Sequence, residues 1–169
     1  NVSPTLFWNQ IPGNTKSFAL ILKDKSTSAP KGSRFHWVAW SILEYELDVG
    51  HRLQHEGTSD FKHTAGYRGP CPEDRAAVHI YTFTLYALDF LDRPSSEIVL
   101  DPMTTAPDLI KAIKPHILGT ARLSFQYRRS RPMLNLPPEV TNTGLDTANL
   151  NGWRDQAEPG PVLVGNSKL

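Results

Sequence analysis

Cysteine is almost absent: Cys71 is the only one in 169 residues. That excludes an internal disulfide, and with no second thiol nearby it argues against a thiolate zinc site. One thiol fits a cytoplasmic and a secreted protein equally, so the compartment stays open. No run of about 18 apolar residues offers a membrane-spanning helix, and no basic-then-apolar opening segment reads as a signal peptide. An excess of one charge is missing too, because 18 Lys and Arg against 17 Asp and Glu leave a net charge of +1. Such a balance creates no overall field to draw nucleic acid or an anionic membrane, so any anion binding has to be local. The chain has no internal repeat and no serine-nucleophile elbow, and no motif asks for a cofactor or a resident metal.

What is present suffices for one core. With 39% hydrophobic residues over this length, a single domain buries roughly 70% of its unfolded surface and needs no staple. Ser17 to Lys23 (SFALILK) and Phe35 to Leu43 (FHWVAWSIL) are apolar runs bounded by Pro12-Gly13-Asn14 and Pro30-Lys31-Gly32, and both read as strands. Ile80 to Leu88 alternates Ile80, Thr82, Thr84 and Tyr86 with Tyr81, Phe83, Leu85 and Ala87, and Leu118 to Tyr127 has a strand pattern as well. One helix is signalled, with Thr105 as N-cap, Pro107 and Asp108 in the first turn, and Leu109, Ile110 and Ile113 at helical spacing. Pro115 should break or restart it. Asp24 to Gly32 and Ser59 to Arg75 read as loops, the second long and rich in Gly and Pro. After Arg131 periodicity stops and an extended arm is expected, with Trp153 as its one large anchor. The division is therefore a domain over 1–131 and a C-terminal extension over 132–169.

Several segments, in order, resemble the phosphatidylethanolamine-binding protein family, which includes Raf kinase inhibitor proteins and plant flowering regulators. They are NVSPTLFW (Asn1 to Trp8), TKSFALIL (Thr15 to Leu22), FHWVAWSI (Phe35 to Ile42), DFKHTAGYRGPCP (Asp60 to Pro72), HIYTFTLYALD (His79 to Asp89) and PHILGTARLSFQY (Pro115 to Tyr127). The compact GYRGPCP loop and the FTLYALD strand are similar to the bacterial and archaeal branch, which fungi also possess. The resemblance implies an all-β dominated fold, an antiparallel β-sandwich with a few peripheral helices. Departures exist. DKSTSAP (Asp24 to Pro30) stands where the family has Asp-Pro-Asp-Ala-Pro, Ile80 replaces an arginine, and Glu73 replaces a second proline. The family domain also starts with about two strands before NVSP, so the resemblance implies either further residues upstream or a tail that takes their place.

The family's anion pocket maps onto Asp24, His36, Tyr67, Gly69, Pro70 and His79, with Tyr81 close by. Imidazoles donate from one or both nitrogens, a carboxylate behind one fixes its tautomer, and amides of a glycine-containing loop add donors at close approach. A His pair with an Asp also suits general acid and base chemistry, so His36 and His79 are the catalytic candidates if there is turnover. From residues alone, His36 is either a hydrogen-bonded core histidine or a pocket wall, and His79 either a strand-end surface residue or a cleft residue; the resemblance favours the pocket for both. His51 and His55 could hold a metal if helical, but no third ligand is evident. Cys71 reads as packed rather than reactive. Arg128, Arg129 and Arg131 read as a solvated strand end or a contact for an acidic partner. Three functions follow from the resemblance: capture of a small phosphate- or carboxylate-bearing ligand; an enzyme or accessory catalyst on a carboxylate or anhydride, as in maleidride biosynthesis; or regulation of a kinase or protease. The arm is also a route to a homodimer.

Overall fold

The computed structural model describes residues 1–26, 34–61, 64–72, 77–92, 94 and 99–129, and the backbone of 147–149. Most of the DKSTSAP loop, His63, Glu73, Arg131, Trp153 and nearly all of the expected extension lie outside the described residues. The elements run β1 (Thr5–Phe7), β2 (Ser17–Asp24), β3 (Arg34–Ile42), β4 (Glu46–Leu47), β5 (His79–Leu88), α1 (Ala106–Ile113), β6 (Ile117–Tyr127) and β7 (Thr147–Asn149), with a 3-10 turn at Lys114–His116 before β6.

The larger sheet has the order β3-β2-β5-β6 and is antiparallel throughout. The smaller has the order β4-β1-β7, and here β7 joins β1 in parallel, pairing Thr5 with Thr147 and Phe7 with Asn149. Every apolar strand expected from sequence is present within about one residue of its limits, because strand runs between Gly and Pro boundaries are well marked.

Strand alternation sends one row of the large sheet to each side. Phe18, Leu20, Leu22, Trp37, Tyr81, Phe83 and Leu85 pack with Leu6, Trp8 and Leu47, the inward residues of the small sheet's side, forming a core between the sheets. Ala19, Ile21, Val38 and Trp40 pack instead on Ala106, Leu109 and Ile113 of α1. The helix starts as its sequence predicts: the Thr105 hydroxyl accepts from the Asp108 N–H at 3.3 Å, and a proline sits in the first turn. At Pro115 the chain tightens into the 3-10 turn and leaves as β6. The fold is thus a β-sandwich with its one described α-helix on the outer face of the large sheet.

Candidate functional site

One irregularity positions the site. Between β2 and β3 the register steps from Leu22↔Trp37 to Lys23↔Phe35, so His36 is an extra residue without a partner of its own in β2. Simple alternation would turn His36 away from Trp37, toward the helix side with Val38. A β-bulge re-aims the side chain. The His36 ring meets Tyr81 edge-on with centroids 5.2 Å apart, and Tyr81 belongs to the inter-sheet core, so His36 and Trp37 share one side.

The loop that contains Tyr67 to Pro70 fixes this ring. Arg68 donates its N–H to the His36 carbonyl at 3.0 Å, and its own carbonyl lies 3.0 Å from His36 Nδ1. The ring also lies against Phe61, centroids 4.5 Å apart. Burial pushes the His36 imidazole below its ordinary value of 6.5; the Arg68 carbonyl and the Asp24 charge pull upward without overcoming it.

Asp24 closes β2, directly paired with Tyr81 of β5, and His79 stands two residues before Tyr81 on the same face. Both oxygens of the Asp24 carboxylate are engaged. Oδ2 lies 2.7 Å from His79 Nδ1, and Oδ1 accepts the Ser26 N–H at 2.8 Å. Ser26 is itself pinned, since its hydroxyl accepts the Ile80 N–H at 2.8 Å. Burial alone would raise the Asp24 carboxyl, but the hydrogen bonds from His79 and Ser26 outweigh it and hold the group below its ordinary 3.8. The Tyr81 phenol is pushed well above its usual range, first by burial and then by the Asp24 charge it faces. Asp24, His36, His79 and Tyr81 are all buried, and the structure brings these four expected residues into one corner at the end of the inter-sheet core.

The remaining expected residues sit around that corner. Tyr67 turns its ring onto Trp37, centroids 5.4 Å apart, and burial pushes its phenol up to about 12. Gly69 and Pro70 are half-buried. The Gly69 N–H, expected as an anion donor, is engaged by Asn1 Oδ1 at 3.0 Å. A Cβ at Gly69 would meet only ordinary contacts, the nearest at 3.5 Å, so no protein atom around it requires glycine there. Cys71 is exposed rather than packed. His51 and His55 lie in irregular chain, not on a helix, so their spacing does not align them. Among the described residues no group of three or more His, Cys, Asp or Glu could hold a metal. No helix of the described residues is long and apolar enough to cross a membrane.

Sequence reasoning missed Arg68, whose contribution is made by backbone atoms and so leaves no mark on residue type. It also missed Glu56, which accepts from Trp37 Nε1 at 2.6 Å and steadies the wall beside Tyr67. A shallow groove of ≈ 260 Å³ beside α1, lined by Val99, Met103 and Asp108, includes none of these residues.

A family profile described as phosphatidylethanolamine-binding protein matches residues 1–128. A UPF0098 protein of Methanothermobacter thermautotrophicus is 38% identical over 137 residues, which cover 76% of this chain and 84% of that protein. A UPF0098 protein of Pyrococcus abyssi is 34% identical over 139 residues, covering 76% and 73% respectively. The fold is similar to that of Escherichia coli YbcL, described as a new member of the mammalian PEBP family: the TM-score is 0.67 at 25% identity, over 77% of this chain and 82% of that one. A PEBP homologue from Chlamydia trachomatis gives a TM-score of 0.62 at 28% identity, over 72% of this chain and 78% of the other.

Proposed function

This chain belongs to the phosphatidylethanolamine-binding protein family, and from that premise we propose that it holds a small phosphate- or carboxylate-bearing ligand at the corner of His36, His79 and Tyr81. The observation that carries this reading is the buried His79–Asp24 pair, 2.7 Å between Nδ1 and Oδ2 with both side chains 5% exposed. Buried ionisable pairs are costly to desolvate and are weak devices for stability alone. A carboxylate that only accepts puts the His79 ring proton on Nδ1 and fixes the ring's orientation. With Nδ1 held by Asp24, a ring protonated on both nitrogens presents Nε2–H as the donor to an anion. Asp24, engaged on one oxygen by His79 and on the other by Ser26, acts as a positioning residue behind the His79 ring.

Calorimetric titration with inorganic phosphate, phosphoethanolamine and small carboxylates tests the reading. Saturable binding by the wild type and its loss in His79→Ala are expected. Equal binding by His79→Ala would overturn it.

A further inference from the structure

His36 has a polar atom that an anion alone does not explain. The Arg68 carbonyl, 3.0 Å from Nδ1, can only accept, so Nδ1 carries the ring proton and Nε2 is a bare lone pair. That Nε2 is buried with no hydrogen-bond partner among the described residues. A buried polar atom left unpartnered costs about 1–3 kcal/mol. Its neighbour His79 is of the other kind, with Nδ1 committed to a carboxylate. Tyr81 joins the two, edge-on to His36 at 5.2 Å and stacked with His79 at 6.3 Å. A fully ionised oxyanion satisfies the His79 side and meets His36 with lone pair against lone pair. An acid that keeps one O–H beside its O⁻ satisfies both.

Resting on the anion reading above, we propose that the site selects oxyacid monoanions that still carry an acidic proton. A phosphate monoester or phosphonate in its hydrogen form has this chemistry, and so does a half-ionised dicarboxylic acid. The O–H is donated to His36 Nε2, and the charged oxygens face His79. Burial favours the neutral His36 imidazole, with Arg34 acting in the same sense and the Arg68 and Gly69 backbone and the Asp24 charge opposing. Sulfate esters and phosphodiesters have the charge without the proton, and the site excludes them.

Methyl phosphate and methyl sulfate make the test, being close in size and, near pH 5.5, both chiefly monoanions, with only the phosphate keeping an acidic O–H (second pKa about 6). Calorimetry is expected to show methyl phosphate bound about 10- to 100-fold more tightly, the effect of stranding one buried acceptor. Equal affinities would overturn the selection while leaving the anion reading intact. Binding of neither ester, nor of inorganic phosphate or small carboxylates, would overturn both. Long-range proton–nitrogen correlation of the His36 ring is an independent readout that needs no variant. The expected pattern is a neutral ring protonated at Nδ1 whose Nε2 signal moves with methyl phosphate and not with methyl sulfate. A ring protonated at Nε2 would sink the proposal.

Discussion

The two ends of β5 hold the same pair of side chains in different surroundings. At its start His79 meets Asp24 with 2.7 Å between Nδ1 and Oδ2, both side chains 5% exposed. Just past its end Asp89 meets His116 at 2.8 Å, with His116 29% and Asp89 44% exposed. Geometry alone does not separate them. At the exposed end water competes for both partners, and the pair stitches β5 to the turn before β6, where the Asp89 N–H also reaches the His116 carbonyl at 3.2 Å. At the buried end the charge has few partners, Ser26 shares it, and the Tyr81 ring and a second histidine crowd the same corner. Burial fixes a common ion pair in place and makes it costly to break.

The largest expected effect is at the buried end. His79→Ala strands the Asp24 carboxylate and should cost about 3–5 kcal/mol in urea unfolding, together with loss of phosphate binding. Stability should also fall with acid in two windows. His36 sits below its ordinary 6.5 when folded, so below about pH 6.5 the unfolded chain takes up a proton that the folded one refuses. Stability therefore drops, at no more than about 1.4 kcal/mol per pH unit, until the folded value is passed. Asp24, held below 3.8, adds a further loss as pH falls from about 3.8 through its folded value. Thermal melts of His36→Gln across this range should lose the first limb and keep the second; an unchanged first limb would assign it elsewhere. Tyr81→Phe, which removes the hydroxyl facing Asp24, should cost on the order of 1 kcal/mol and weaken phosphate binding, both read from one preparation. At the exposed end, His116→Gln should change stability by less than about 1 kcal/mol and leave the phosphate isotherm unaltered. A large effect there would erase the contrast between the two ends.

Legibility followed length. β2, β3, β5 and β6 were readable because each is a run of eight or more residues with apolar and aromatic content, and α1 because Thr105 and its proline announce its start. β1, β4 and β7 are three residues or fewer, too short for a period to show against the surrounding chain. The site was legible as a set of residue types through resemblance, not as an arrangement. Nothing in the order of residues says that Asn1 occupies the Gly69 amide or that the Arg68 backbone grips His36 on two sides. Those are meetings between distant stretches of chain, decided by the packing of the whole.

The bulge at His36 makes the address of that histidine a matter of counting. Remove one position between Arg34 and Trp37, retain every residue type that matters, and alternation resumes; the imidazole then points at the helix layer and the corner is left with one ring nitrogen system instead of two. Change of function at this corner is therefore open to insertions and deletions as well as to substitutions. A relative with the same histidine and a strand one residue shorter would share its letters and not its chemistry.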